Sequence, residues 1–395
     1  MGVLIEVDWL VVGAGLSGAT FAERAANVAG ARVLVVERRE HIGGNAFDAN
    51  DEYGVRIHRF GAHIFHTSSV KVWDYLSRFT AWLPYVHRVV AEVDGVSLPV
   101  PVNLTTVLAL VPGNAGERLR ERLIKAHGAG SSVSVLTLIE HPDPDLRALG
   151  ELVYEKIFLG YTMKQWGRRP EEIDRSITGR VPIIVSHDDR YFNDQFQGIP
   201  ADGYTAMVDR MLRHPNVAIE TGVDYREIVD QVKFRRMLFT GQVDELFEGK
   251  HGWLPYRSLQ FENIRIHVDR VLQTAVKNFP GAEPFTRMIE HAHFSPMRRA
   301  STLITAEYPQ RYVRGMNEPY YPLLDRESRQ LYRKYAEEAQ RIGDRVVLAG
   351  RLGKYRYLDM DQAVAHSLAI FENHVLRSSN SYPSARLRTG LDLWA

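Results

Sequence analysis

The chain of 395 residues contains no cysteine. This absence excludes disulfide bonds, thiolate nucleophiles and cysteine ligands to a metal. An excess of charge of one sign is also lacking, because 49 Lys and Arg residues balance 48 Asp and Glu residues to a formal net charge of +1. The overall charge therefore gives no reason to expect nucleic acid or an anionic membrane as a partner, and any anionic ligand has to be held by local arginine clusters.

Long apolar runs are lacking as well. No run approaches the roughly 20 residues that span a bilayer, and acidic N-terminal residues lead directly into a predicted strand, so we expect neither a membrane span nor a secretory signal. We expect a cytoplasmic protein. The remaining composition, with 45% hydrophobic and 25% charged residues, is typical of a globular protein long enough for two or three domains.

The most informative pattern lies in the first fifty residues. An apolar run at 9–12 leads into Gly13-Ala14-Gly15-Leu16-Ser17-Gly18, a helical stretch follows, and a second apolar run ends at Glu37. In the dinucleotide-binding fingerprint the first glycine permits the tight turn and the second lets the backbone approach a pyrophosphate. The third glycine allows close packing of helix on strand, and the acid accepts a hydrogen bond from a ribose hydroxyl. The order of these features predicts a dinucleotide-binding domain.

The residues after Glu37 distinguish a flavin from a nicotinamide. Arg38 and the run Gly43-Gly44-Asn45 form a second bend, at which glycine lets the backbone pass close to a bound cofactor. This extension resembles FAD-binding oxidases and mutases rather than NAD dehydrogenases, so FAD is the predicted cofactor. Near the other end of the chain, Gly350, Arg351 and Asp359-Met360 fit the segment that returns to the flavin in two-part FAD folds.

The periodicity along the chain predicts an α/β fold. It consists of a Rossmann-like FAD-binding domain, an inserted helical domain and an antiparallel β-sheet substrate domain. The predicted bounds are 1–85 with 345–376 for the FAD-binding domain, 102–166 for the helical domain, 86–101 with 190–325 for the substrate domain, 167–189 for a mobile active-site loop and 377–395 for a tail.

Tyrosine and arginine recur where an enzyme would normally show pairs of His, Asp or Glu. Arg180 and Arg287, far apart in sequence, suit a diphosphate because guanidinium groups hold phosphate oxygens in a bidentate manner. Taken singly, each tyrosine or tryptophan is better explained as an ordinary core or interface residue, but the set taken together is not. His63 and His66 do not have the spacing of a metal site and have no nearby carboxylate partner in sequence, so we predict no metal. We expect a histidine near the flavin, with a hydrogen-bonded structural histidine as the alternative.

Together these motifs resemble the UDP-galactopyranose mutase family, flavoenzymes that interconvert UDP-galactopyranose and UDP-galactofuranose. The resemblance runs from about Val7 to Leu376. It rests on the fingerprint and on four later blocks, namely 61–67 (Gly-Ala-His-Ile-Phe-His-Thr), 160–166 (Gly-Tyr-Thr-Met-Lys-Gln-Trp), 202–204 (Asp-Gly-Tyr) and 350–360.

The resemblance implies two adjoining sets of site residues. The substrate set comprises Phe158, Tyr161 and Thr162 at the uracil, Trp166 at the sugar, Arg180 and Arg287 on the diphosphate, Tyr191, Tyr321 and Tyr357 donating to its oxygens, and Asn278 and His87 as further polar contacts. The cofactor set comprises Gly13, Gly15, Gly18, Glu37, Arg38, Gly44, Asn45, His63, Arg351, Asp359 and Met360. Arg180, Arg287 and His63 are the predicted catalytic residues.

The implied reaction is the reversible ring contraction of UDP-galactopyranose, with reduced FAD acting as a covalent nucleophile at the anomeric carbon. The product would supply galactofuranose for cell-surface glycans, including the cell wall. Because the reaction is redox-neutral, an external reductant such as NAD(P)H would only reduce the flavin. Bacterial relatives further suggest a homodimer formed through the helical insert.

Two other functions stay open at this point. An FAD-dependent amine or lipid oxidase or desaturase would share the fingerprint but would need an apolar tunnel. A non-catalytic binding protein on the same fold would not need the intact glycine set.

Overall fold

The computed structural model describes residues 5–173, 181–297 and 300–376. Its strands are β1 Ile5–Val12, β2 Val33–Glu37, β3 Asp48–Asn50, β4 Arg56–His58, β5 Phe65–Thr67, β6 Trp82–Pro84, β7 Val89–Val93, β8 Val96–Val100, β9 Ser132–Val133, β10 Ile183–Ile184, β11 Phe196–Pro200, β12 Val217–Thr221, β13 Val232–Phe239, β14 Tyr256–Ile266, β15 Val276–Asn278, β16 Arg287–Glu290, β17 Thr302–Arg311, β18 Tyr321–Pro322 and β19 Val346–Leu348. The α-helices in these ranges are α1 Leu16–Ala29, α2 Val70–Leu76, α3 Leu104–Leu110, α4 Asn114–His127, α5 Val135–Ile139, α6 Pro144–Val153, α7 Gly160–Trp166, α8 Tyr204–Leu212, α9 Tyr225–Ile228, α10 Val243–Leu246, α11 Arg326–Ile342, α12 Gly350–Gly353 and α13 Met360–Phe371.

A five-stranded parallel sheet forms the centre of the first unit. Its strand order is β12-β2-β1-β13-β19. All five residues of β2 are buried, which explains its continuous apolar run, because a parallel sheet is covered on both faces. The helix α1 presents a buried face of small residues that packs beside α8 and α13. Close packing of this kind holds the glycine turn at the carboxyl end of β1.

Part of the predicted domain assignment is wrong. Residues 190–325 were assigned to the antiparallel domain, but β12, β13 and α8 belong to the parallel unit. The strand β13 pairs with β1 from Ile5↔Val232 to Val12↔Phe239, and α8 buries its apolar side in the same core as α1. The alternation of side chains identifies a strand but does not specify its partner, so sequence alone could not assign these strands to a sheet.

A seven-stranded mixed sheet forms the second unit. Its order is β18-β14-β17-β16-β15-β7-β8, and all neighbours are antiparallel except β15 and β7. The hairpin between β7 and β8 turns at Asp94-Gly95, where both residues have positive φ. This sheet carries Asn278 and Arg287 on the neighbouring strands β15 and β16, and Tyr321 on its edge strand β18.

A mainly helical segment, α3 to α7, follows β8. The helices α6 and α7 are joined by π-helical turns at Tyr154–Leu159, and the continuous run ends at Gly167 in the left-handed conformation. The predicted α/β class with a Rossmann-like domain, a helical insert and an antiparallel sheet is thus confirmed. Within the described ranges no helix combines the length and apolarity needed to cross a membrane.

Candidate active site

A first cavity opens at the carboxyl ends of β1 and β2, the edge where parallel α/β sheets bind nucleotides. Nearly all of the predicted cofactor residues line it, namely Gly13, Gly15, Glu37, Arg38, Gly44, Asn45, His63, Arg351, Asp359 and Met360. Gly18 does not line the cavity. A side chain there would overlap the carbonyl oxygen of Gly13, so this glycine serves helix packing, as the fingerprint predicts.

The cavity has the features that a dinucleotide requires. A Cβ on Gly15 would meet only backbone atoms of Gly44, at 3.6 Å or more, so the protein's own packing tolerates a side chain at this position, which lines the cavity. The N-terminus of α1 has no side-chain cap, which leaves its amides available for a phosphate. The Glu37 carboxylate accepts hydrogen bonds from the backbone N–H groups of Ala14 (2.9 Å) and Arg39 (3.0 Å). It is thereby held at the end of β2, where a ribose hydroxyl would lie.

A second cavity adjoins the first. The two share Asn45, His63, Tyr320, Arg351, Asp359 and Met360 as lining residues. The predicted substrate residues that line the second cavity are Tyr161, Trp166, Tyr191, Asn278, Arg287, Tyr321, Tyr357 and His87. They come from separate parts of the chain, so only the folded protein brings them together.

Three predicted substrate residues are not placed at this cavity. Phe158 is buried in the apolar cluster of the helical segment, and Thr162 is buried next to Tyr161; neither lines the cavity. Because residues one or two positions apart on a helix face in different directions, Tyr161 reaches the cavity while Thr162 does not. Arg180 lies outside the described residues.

The charge of the second cavity is set by a buried ion pair. The Arg287 guanidinium lies 3.0 Å from the carboxylate of Glu307, a residue that is 1% exposed. Burial by itself would lower the pKa of Arg287, but the Glu307 carboxylate raises it well above its ordinary value. Arg287 is therefore a permanent cation that faces the cavity.

Two aromatic hydroxyl groups in the cavity remain neutral donors. Burial raises the pKa of both Tyr161 and Tyr321 well above the usual value. The rings of Tyr321 and Tyr357 stack with centroids 5.6 Å apart, and the guanidinium of Arg351 lies over both. Arg351 also donates to the carbonyl of Leu358 at 2.8 Å, which fixes its position at the junction of the two cavities.

The tautomer of His63 follows from its hydrogen bonds. Its Nδ1 lies 2.8 Å from the carbonyl oxygen of Gly61, which can only accept, so Nδ1 carries the proton and Nε2 is an acceptor. Burial, with His58 beside it, lowers the pKa of His63 to about 3. Burial and the nearby Arg287 lower the pKa of His87 to about 3 as well. Both imidazoles are neutral at physiological pH.

Several residues that line the second cavity are not predicted as site residues by the sequence. Glu307, Gln165, Tyr320 and Phe192 line the second cavity, and His66 also lines it rather than a metal site. The feature that could have identified Glu307 is an acid at the end of a mainly apolar strand segment. On β17 the preceding residues 302–306 are all buried, and Glu307 is buried with them. Among the described residues no group of three or more His, Asp or Glu side chains could hold a metal ion.

Comparison with known proteins agrees with this geometry. The family model described as UDP-galactopyranose mutase matches residues 156–357, and the model of an NAD(P)-binding Rossmann-like domain matches residues 11–79. A Klebsiella pneumoniae protein named "Probable UDP-galactopyranose mutase" is 36% identical over 91% of this chain and 92% of its own length. An Escherichia coli dTDP-fucopyranose mutase is 33% identical over 91% of this chain and 96% of its own.

Solved structures show the same fold. A crystal structure of reduced UDP-galactopyranose mutase matches with a TM-score of 0.70 at 15% identity and covers 95% of both chains. A variant of putrescine oxidase matches with a TM-score of 0.56 at 10% identity, over 94% of this chain and 100% of that one. The fold alone does not separate mutases from oxidases, but the sequence matches do. This chain belongs to the UDP-galactopyranose mutase family of isomerases, as its motifs predicted.

Proposed function

We propose that this protein is an FAD-dependent UDP-galactopyranose mutase that catalyses the reversible conversion of UDP-galactopyranose into UDP-galactofuranose. The observation that carries the proposal is the junction of the two cavities. One has the glycine cradle of a dinucleotide, and the other has Arg287 and neutral tyrosines that suit a diphosphate. Because they share His63, Arg351 and Met360, the flavin end of the cofactor and the sugar end of the substrate would meet there.

The residues that would hold FAD follow from the first cavity. The turn at Gly13 and Gly15 and the amides of α1 would bind the pyrophosphate, and Glu37 would accept from the adenosine ribose. Arg38 would lie at the same end, and Asp359 and Met360 would lie at the flavin end. When bound and reduced, FAD supplies the nucleophile for the anomeric carbon.

Protein side chains would stabilise the leaving diphosphate. Arg287 is charged and fixed by Glu307, so its guanidinium is preorganised for a developing negative charge. Tyr191, Tyr321 and Tyr357 would donate hydrogen bonds to the same oxygens without adding charge. We propose that Arg180, on the predicted active-site loop, binds the diphosphate from the opposite side, and that Trp166 bounds the sugar.

The wider assignments belong to the same proposal. The protein would be a cytoplasmic homodimer. An external reductant such as NAD(P)H would reduce the flavin, and the product would supply galactofuranose to cell-surface glycans. The oxidase alternative has support from the putrescine oxidase likeness in fold alone. The lining of arginine and tyrosine favours a nucleotide sugar over an apolar amine or lipid.

The test is turnover by the reduced holoenzyme. Dithionite-reduced protein should convert UDP-galactofuranose into UDP-galactopyranose, as resolved by chromatography of the nucleotides.

The variant Arg287→Ala should lose at least about 100-fold in kcat, the usual magnitude for removing one preorganised hydrogen-bond donor, while the flavin absorption spectrum stays unchanged. The control Arg311→Ala, at an exposed position on β17, should keep wild-type turnover. A wild-type protein that binds flavin, is reduced and yields no UDP-galactopyranose would refute the proposal.

A further inference from the structure

The junction of the two cavities is built from both units of the fold. Asn45 follows β2 in the parallel unit, and Tyr320 directly precedes β18 at the edge of the seven-stranded sheet; both residues line both cavities. The strand β18 is short, and its two residues pair only with Tyr256 and Arg257 of β14, within the same sheet. This pairing does not fix the segment before β18 against the parallel unit, so contacts between the units have to do so.

Arg39 makes contacts on both sides of this junction. Its side chain lines the first cavity and is 17% exposed. Nη1 donates to Oδ1 of Asn45 at 3.0 Å, and Nη2 donates to Oε2 of Glu318 at 3.0 Å. The guanidinium also lies over the ring of Phe60, 4.4 Å from the centroid. Because a guanidinium presents its donors in a rigid plane, this one side chain fixes three separate segments relative to each other.

An aromatic contact adds a second route from Arg39 to Tyr320. Phe60 lines the second cavity, and its ring centroid lies 6.3 Å from that of Tyr320. Glu318, the other partner of Arg39, stands two residues before Tyr320 in the chain. By comparison, the direct hydrogen bond from Arg351 to the carbonyl of Tyr320 is long, at 3.4 Å.

Glu318 receives two guanidinium groups on one oxygen. Nη2 of Arg38 donates to the same Oε2 at 3.0 Å. Burial by itself would raise the pKa of Glu318, but Arg38 and Arg39 lower it below its ordinary value, so the carboxylate stays ionised and accepts from both. Glu318 does not line either cavity, so it acts on the site through the residues that it contacts.

We propose that Arg39 and Glu318 form a clasp between the two units and are positioning residues for the proposed reaction. The clasp holds Asn45 and Tyr320 in a fixed relation and thereby sets where the bound substrate lies relative to the flavin. The inference rests on the proposed function, because it assigns what aligns the two reactants. The clasp acts on the rate through orientation, for which a displacement of about 1 Å can cost on the order of 100-fold.

Arg39→Met and Glu318→Gln remove the two ends of the clasp separately. In the reduced holoenzyme we expect kcat with UDP-galactofuranose to fall by at least about tenfold in each variant, because the reactants are no longer held in a reactive geometry. The Kd for UDP, measured by calorimetry, should stay within about threefold of the wild-type value, since Arg287 and its ion pair are untouched. The matched control Glu372→Gln, which breaks a surface ion pair with Lys71, should keep wild-type kcat.

A spectroscopic measurement reports on the clasp without turnover. UDP added to the oxidised wild-type holoenzyme should change the flavin absorption spectrum, because the two cavities share lining residues. At saturating UDP we expect a smaller change in both variants, at full flavin content. The double variant should lose no more in kcat than the more impaired single variant, because the two residues act through one contact.

The outcomes distinguish the clasp from the proposed function. Turnover by the wild type with unchanged kcat in either variant would overturn the clasp and leave the mutase assignment intact. Losses that multiply in the double variant would show independent roles, and loss of flavin on purification would show a role in cofactor retention; both results would equally overturn it. Absence of turnover in the wild type would refute the proposed function, whereas the difference spectra would still decide whether Arg39 and Glu318 align the two cavities.

Discussion

At the scale of single residues, the most consequential pair is Arg287 and Glu307. The pair places a cation at the cavity surface and buries its counter-charge behind it. A bound diphosphate would supply a second negative partner for the same guanidinium. The pair therefore couples the stability of the empty protein to the affinity for the substrate.

Replacing Glu307 by Gln should expose that coupling. The variant leaves a half-buried arginine without its carboxylate partner, so we expect the free energy of unfolding without ligand to fall by about 1–3 kcal/mol. UDP restores a negative partner, so it should raise the Tm of the variant more than that of the wild type, as measured by calorimetry. The control Glu262→Gln, at an exposed position on β14, should show the wild-type increment. Equal increments in Glu307→Gln and wild type would contradict the coupling.

The glycines of the fingerprint have separable roles. A Cβ at Gly15 fits the protein at a position that lines the cofactor cavity, whereas a Cβ at Gly18 collides with the turn itself. We expect Gly15→Ala to keep the Tm of the cofactor-free protein but to lose most of its flavin absorbance after purification. Gly18→Ala should lower the free energy of unfolding by about 1–3 kcal/mol even without cofactor. Full flavin content in Gly15→Ala would show that this glycine does not contact the cofactor.

At the scale of elements, the position of α7 depends on Lys164. The ammonium group donates to the carbonyl oxygens of Phe279 (2.5 Å), Glu283 (2.9 Å) and Phe285 (3.0 Å). All three lie between β15 and β16, the strands that carry Asn278 and Arg287. Three hydrogen bonds use every donor of the ammonium, so Lys164 ties the helix that bears Tyr161 and Trp166 to the strands that bear Asn278 and Arg287.

Lys164→Met should loosen this connection. We expect the Kd for UDP to rise about tenfold, a loss of ~1.4 kcal/mol, because Tyr161 and Trp166 would no longer be held in a fixed position relative to Arg287. Flavin content should not change. The matched control is Lys156→Met in the adjoining π-helical turn, where the ammonium pairs with Asp94 at the surface. An unchanged Kd in Lys164→Met would show that packing alone positions α7.

At the scale of the whole molecule, buried neutral histidines make the fold sensitive to acid. Burial is the largest cause that lowers the pKa of His58, His63 and His87, each to about 3 from the ordinary 6.5. Between these values the unfolded chain binds protons that the folded protein does not. Stability is therefore complete above about pH 6.5 and falls as the pH drops towards 3, by about 1.4 kcal/mol per pH unit for each histidine.

This linkage predicts proton uptake on unfolding. Calorimetry at pH 5 in buffers of different ionisation enthalpy should show an uptake of about one proton for each of the three histidines, and the Tm should fall from pH 7 to pH 5. Replacing His58 by Gln should reduce the uptake by about one proton. An uptake near zero at pH 5 in the wild-type protein would mean that these imidazoles titrate normally in the folded state.

The sequence by itself determined the features that depend on neighbours along the chain. The glycine turn, Glu37 and the second bend at Gly43-Gly44 are local, because each requirement of backbone conformation or approach is met within a few residues. These features, with the later motif blocks, were enough to predict the lining of the first cavity, the family and much of the lining of the second cavity. Only the tertiary structure decided that β13 pairs with β1, that Glu307 faces Arg287 and that Glu318 contacts Arg39. Those partners are far apart in sequence, and since side-chain pattern encodes burial rather than the identity of the partner, only the folded packing brings them together.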